Sequence, residues 1–252
     1  MAESSLVSES RAWSEYRALQ ADPVYRGEGV PRGDGGLVLV LPGLFGNDLY
    51  LQPLRSWLRR IGYRPAMSHI ALNAGCPERI KTRAERSLAR QLAGHDGQVA
   101  IIGHSRGGML GRALAARLGA RCRCFVALGS PLGALLRAGR SGFTGLAGAS
   151  AAPAGEGIAA PTVVDAGRRA MRLLSPRCTF PECGCAYLDE LLQPLPESTR
   201  VYAIYSTEDP VVAPAASPIP GAVNVEVTGT HSGLVVNRVV YRHLGAVLAG
   251  QV

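Results

Sequence analysis

"VAIIGHSRGGMLGRALAARLG", residues Val99 to Gly119, changes character at its centre. Four apolar residues open it, small residues surround Ser105, and Gly107 to Leu118 then carries a helical pattern. A Gly-x-Ser-x-Gly string between a strand and a helix describes a tight, strained corner. Gly103 and Gly107 remove the side chains that would meet the neighbouring strand and helix, and Gly108 extends the room. Ser105 is therefore expected at the carboxyl end of a strand and the amino end of a helix. Free NH groups there and the helix's partial positive charge stabilise a developing anion. A plain helix N-cap is the structural alternative, although the flanking glycines give more room than a cap needs.

On either side the chain alternates β-type runs with helical patterns. "GLVLVL" (36 to 41) leads into the turn-rich "PGLFGND" and a helix over Leu51 to Ile61. "YRPAMSHI" reads as a short strand and Pro77 to His95 as a polar helix with proline in its first turn. "CFVALGSP", "VYAIYS" (201 to 206) and "VNVEV" (223 to 227) supply further strands. A stripe of Leu234, Val235, Val239, Tyr241, Leu244 and Val247 predicts a closing helix over 234 to 249. Residues 5 to 20 predict an amphipathic helix that serves either as a dimer contact or as a brace. The alternation implies an α/β fold, a mainly parallel sheet with helices on both faces, in a single domain spanning 1 to 252. Residues 133 to 175, rich in small residues, interrupt it as an insertion, read as a lid with a disordered linker as the alternative.

A serine hydroxyl needs a base to become a nucleophile, and the base needs an orienting acid. Of five histidines, His69 falls in an expected strand, His95 at a helix end, His104 in the corner and His243 in the closing helix. His231, in "VTGTHSGL", lies in a loop after a late strand and is the expected base; the alternative is an ordinary surface histidine. Asp209 in "IYSTEDPVV" is the favoured acid, with Glu208 its competitor and a turn-forming Asp-Pro the structural explanation. "PGLFGND" offers the backbone amide of Leu44 to join that of Arg106 in an oxyanion hole, unless it is only a glycine turn. Phe45, His104 and Leu132 are candidates to line a substrate pocket.

These segments together resemble the α/β-hydrolase superfamily, and within it bacterial lipase-like and esterase-like serine hydrolases. The resemblance rests on "LVLVLPGLFGND", "IIGHSRGGMLGRALA", "VALGSP", "IYSTEDPVV" and "VTGTHSGLVVN", in that order across most of residues 36 to 237. It implies Ser105 as nucleophile, Asp209 as acid, His231 as base, and Leu44 and Arg106 as oxyanion donors, with no metal or organic cofactor. Pro42-Gly43 stands where many lipases carry His-Gly. The implied reaction is hydrolysis of a carboxylic ester or thioester, a small molecule, through an acyl-enzyme. The alternatives are a biosynthetic thioesterase, cyclase or acyltransferase working on acyl carrier protein, and a non-hydrolytic cyclase or binding protein on the same scaffold.

Composition narrows the setting. The chain has 252 residues, 47% hydrophobic and 18% charged, in the range of globular proteins. Net charge is +8, but the arginines are scattered and Lys81 is the sole lysine, which argues against a nucleic-acid face. No apolar run approaches the roughly 20 residues of a membrane span, and no secretory leader is visible. A cytoplasmic location is the expectation, and the oligomeric state is open. Cys76, Cys178, Cys183 and Cys185 suggest reduced thiols, a disulfide or, less readily, a zinc site. Cys122 and Cys124 are expected on opposite faces of a strand, in a structural role.

Overall fold

The computed structural model describes residues 3–93, 97–147 and 185–251. Six strands form one sheet: β1 (Leu37–Leu41), β2 (Arg64–Ala66), β3 (Val99–His104), β4 (Cys122–Leu128), β5 (Arg200–Ser206) and β6 (Val223–Val227). Their order is β2-β1-β3-β4-β5-β6 and every pairing is parallel. The helices are α1 (Glu3–Ala21), α2 (Gln52–Arg60), α3 (Pro77–Leu92), α4 (Arg106–Leu118), α5 (Leu132–Ala147), α6 (Tyr187–Leu192) and α7 (Arg238–Ala249).

β1 and β3 are buried along their whole length, so their unbroken apolar runs satisfy both faces of the sheet. On one face Val38, Val40, Ala100 and Ile102 pack under α2 and α7, where Trp57, Leu58, Tyr241 and Leu244 are fully enclosed. Trp57 donates its indole NH to the Val24 carbonyl at 2.8 Å and lies 4.7 Å from the Tyr241 ring. On the other face Leu39, Ile101, Phe125 and Ala127 meet Leu88 of α3, Leu110 and Leu114 of α4 and Leu191 of α6. Leu132, at the start of α5, is fully buried in this second layer.

Several boundaries differ from the sequence reading, each for a local reason. The strand expected through "YRPAMSHI" stops at Ala66, because Asp48 captures the next turn. Its carboxylate accepts from the Ser68 hydroxyl at 2.7 Å and the His69 amide at 2.9 Å. His69 therefore sits in a loop, with φ 55°. α3 ends at Leu92, and His95 lies outside the described residues. The closing helix begins later than its apolar stripe: Ser232–Val236 forms a 3-10 turn, and Asn237 Oδ1 then caps α7 by accepting from the Val239 amide at 2.8 Å. Val239 is consequently exposed.

Cys122 and Cys124 would share a face under strict alternation. A register shift opposite Val99/Ala100 sends Cys122 to the α4 side and Cys124 to the α2 side. Of the insertion expected over 133 to 175, the described part is helical to Ala147 with a kink at Gly139 (φ 59°, ψ −146°), and the rest lies outside the described residues. Among the described residues no helix is long and apolar enough to cross a membrane.

Candidate active site

Ser105 joins β3 to α4 at φ 53°, ψ −123°, a region that a residue with a Cβ enters only under constraint. Three hydrogen bonds impose it. The Ser105 amide donates to the Leu128 carbonyl at 2.8 Å, and its own carbonyl accepts from the Gly108 amide at 2.9 Å and the Ser130 hydroxyl at 2.7 Å. The glycines are sterically required. A Cβ on Gly103 would lie 2.4 Å from the Gly107 carbonyl oxygen, and one on Gly107 would lie 2.4 Å from that of Leu41. One on Gly108 would lie 2.0 Å from Ser130 Oγ.

The acid and the base come from the loops after β5 and β6. Asp209 Oδ2 lies 2.6 Å from His231 Nδ1, while Oδ1 accepts from the Val211 and Val212 amides at 2.8 and 2.9 Å. A carboxylate only accepts, so Nδ1 carries a proton, and in the neutral ring Nε2 is then the atom with the lone pair. Glu208 points elsewhere: its carboxylate meets Arg11 Nη2 of α1 at 2.5 Å. Of the two neighbouring carboxylates, Asp209 is the one within hydrogen-bond distance of His231. A Cβ on Gly129 would lie 3.3 Å from Asp209 Oδ2 and 3.5 Å from His231 Nδ1. Gly129 directly follows Leu128, whose carbonyl holds the Ser105 amide, so the pair stands beside the elbow. No hydrogen bond joins Ser105 Oγ to His231 among the described residues.

His104 is enclosed, with 4% of its surface exposed. Its Nε2 lies 2.9 Å from the His231 carbonyl oxygen, and the two rings are 4.8 Å apart. Burial, with the neighbouring His231 second, pushes its pKa down to about 3. The neutral ring therefore donates from Nε2 and leaves Nδ1 bare; that atom has no hydrogen-bond partner and packs against Gly43.

The loop after β1 is folded over Ser105. A Cβ on Gly43 would lie 3.3 Å from Ser105 Cβ. The Gly46 amide donates to the Gly43 carbonyl at 3.0 Å, closing a turn in which Phe45 has φ 60°. Phe45 and Asn73 lock this loop to the one before α3: the Phe45 amide donates to the Asn73 carbonyl at 3.0 Å, the Asn73 amide to the Gly46 carbonyl at 2.9 Å, and Asn73 Nδ2 to the Pro42 carbonyl at 2.6 Å. The Leu44 amide makes no hydrogen bond among the described residues.

Arg106, the first residue of α4, sends its guanidinium into the same junction. It donates to Asn73 O and Oδ1 at 3.0 and 2.8 Å and to the Gly75 carbonyl at 2.6 Å. Sequence reasoning had used only the backbone of Arg106 and had missed Asn73. Leu44, Phe45, Leu49, Tyr50 and Leu72 form an exposed apolar rim on these two loops, Leu49 being 78% exposed. The Tyr50 hydroxyl donates to the Ser232 carbonyl at 3.0 Å, tying the rim to the His231 loop.

Cys122 and Cys124 are both buried in the sheet. Burial pushes the thiol pKa of Cys122 up to about 12 and that of Cys124 to about 11, so neither forms a thiolate near neutrality. No group of three metal-ligating side chains occurs among the described residues. Cys178 and Cys183 lie outside them.

A strained serine between strand and helix, with a hydrogen-bonded carboxylate and histidine in the loops after the last two strands, fits the α/β-hydrolase fold. The chain has that fold, and the family described as the alpha/beta hydrolase fold matches residues 86–163. Similar solved structures include the mature lipase BlEst2 of Bacillus licheniformis, 12% identical over 87% of this chain and 94% of that one, with a TM-score of 0.57. A structure reported for the metagenome-derived lipolytic enzymes LipS and LipT is 17% identical over 88% and 96%, at 0.52. An alpha/beta hydrolase fold protein from Nakamurella multipartita is 19% identical over 86% and 94%, at 0.50. At these identities the likeness is one of fold. No curated protein matches the sequence.

Proposed function

We propose that this protein is a serine hydrolase that cleaves carboxylic esters or thioesters through an acyl-enzyme. The observation that carries the reading is the 2.6 Å contact between His231 Nδ1 and Asp209 Oδ2 beside a serine held at φ 53°. Ser105 Oγ attacks the acyl carbonyl while His231 Nε2 takes its proton. The imidazolium then returns that proton to the departing alcohol or thiol. Water, deprotonated by the same Nε2, releases the carboxylic acid and restores Ser105. Asp209 keeps the imidazole in the tautomer this requires. The base–nucleophile hydrogen bond forms when substrate fills the site, since such contacts are often long in an empty enzyme.

The amides of Leu44 and Arg106 are the proposed oxyanion donors. Both flank Ser105, one in the loop folded over it and the other at the start of α4, and the Arg106–Asn73 clamp fixes the loop relative to the helix. The rim of Leu44, Phe45, Leu49, Tyr50 and Leu72 favours an apolar acyl or leaving group, and no cofactor is invoked. The reading is tested by turnover of p-nitrophenyl acyl esters of increasing chain length, comparing wild type with Ser105→Ala. A fall of several orders of magnitude in the variant supports it, and retained turnover overturns it.

A further inference from the structure

The helix α1 lies outside the strand–helix alternation, yet it reaches the loop that carries His231. Glu15 Oε1 accepts from the Thr230 amide at 2.9 Å, and Oε2 accepts from the Thr230 hydroxyl at 3.0 Å. Thr230 Oγ1 in turn accepts from the Gly233 amide at 3.0 Å, closing the turn around His231. The loop is shaped for this carboxylate. A Cβ on Gly233 would lie 1.4 Å from Glu15 Oε2, and one on Gly229 would lie 3.1 Å from Oε1. Gly229 also adopts φ 133°, which a side chain rarely tolerates. Gly233 of "TGTHSG" thus leaves space for a side chain more than 200 positions away, Glu15 being separated by 215 from Thr230, whereas a Cβ on Gly229 would first meet Asn237 Nδ2 at 2.8 Å. An exposed pair, Arg11 with Glu208, ties the same helix to the loop of the acid.

We infer that Glu15 is a positioning residue for the reaction, a carboxylate lent by α1 that sets the His231 loop against Asp209 and Ser105. The inference rests on the serine-hydrolase reading. Glu15 touches neither substrate nor a reacting atom; it acts through the backbone on either side of His231. Two charge-assisted hydrogen bonds to a buried threonine restrict that loop more than apolar packing would, because they fix direction as well as distance. A sub-ångström displacement of a base costs rate far more than it costs affinity, since substrate binding does not depend on it. The signature is therefore a loss in kcat with KM nearly unchanged.

The test compares wild type, Glu15→Ala and Glu15→Gln as full-length proteins, with ester turnover and amide hydrogen exchange read on the same samples. Glutamine keeps an oxygen for the Thr230 amide and an NH2 that Thr230 Oγ1 accepts, so it is the rescuing variant. Expected for Glu15→Ala is a 10- to 100-fold lower kcat with KM within about threefold, and faster exchange confined to residues 228–236. Glu15→Gln is expected to stay within about fivefold of wild type. An unchanged kcat in folded Glu15→Ala overturns the inference, as does an equal loss in both variants, while leaving the serine reading intact. Retained turnover in Ser105→Ala overturns both, so the two failures are told apart.

Discussion

His231 Nδ1 and Asp209 Oδ2 stand 2.6 Å apart, although 22 positions separate them in the chain and each is carried by the loop of a different strand. Asp209 and Glu208 are adjacent, yet only Asp209 turns inward, where two loop amides hold its other oxygen. Glu208 turns outward to α1.

That divergence separates the two acids by experiment. Asp209→Asn is expected to lower kcat by roughly 10³ to 10⁴, because an amide NH2 facing Nδ1 favours the wrong imidazole tautomer. Glu208→Gln is expected to change kcat by less than threefold, since the exposed pair it breaks is worth at most about 1 kcal/mol. Steady-state kinetics on one ester decides it; the reverse ranking would reassign the acid.

Gly107→Ala tests the steric argument for the elbow. The new Cβ would meet the Leu41 carbonyl, a backbone atom that cannot swing away. The expected outcome is a destabilisation of about 1–3 kcal/mol in urea unfolding, together with loss of ester turnover. A variant with wild-type stability and activity would show that the corner is not held as described.

His104 gives the protein a pH-dependent stability. Its pKa is about 3 in the folded chain against 6.5 as the ordinary value, so between those limits the unfolded chain binds a proton that the folded chain does not. Stability from this group is therefore complete above about pH 6.5 and declines as pH falls toward 3. Between pH 7.5 and 5 the loss is about 2 kcal/mol. His104→Gln, compared by urea unfolding at both pH values, is expected to lose that part of the slope even if it is less stable throughout. An unchanged slope would assign the acid sensitivity to other groups.

Asn73→Ala removes the side chain that joins the Pro42 carbonyl to the Arg106 guanidinium. The loop bearing Leu44 loses its register over Ser105, and kcat is expected to fall 10- to 100-fold with a smaller change in KM. Equal losses in kcat and in affinity would mean that the loop serves binding instead.

The parts of this site that were legible from sequence are those where chemistry demands a residue locally. The elbow forces glycine at 103, 107 and 108, and a loop histidine after a late strand stands out when the sequence pattern assigns the other four to expected elements or to the corner, although His69 in fact lies in a loop. The sequence favours Asp209 over its neighbour Glu208 without separating them by any contact, and it is the fold that turns Asp209 toward His231 and Glu208 toward Arg11. Glu15 carries no local mark of its own; its partner is Thr230, and the trace in the sequence is Gly233, where a Cβ would strike Glu15 Oε2. The misread strand through His69 and the exposed Val239 have a common cause. Asp48 and Asn237 each captured backbone amides, and such local capture overrides an apolar pattern.

Intact-protein mass spectrometry after exposure to a fluorophosphonate reports whether Ser105 is the nucleophile. The account predicts one adduct per chain, located on Ser105 by peptide mapping and absent in folded Ser105→Ala and, under the same brief exposure, in His231→Ala. A folded wild-type protein that takes up no adduct, or takes it up equally in Ser105→Ala, would contradict it.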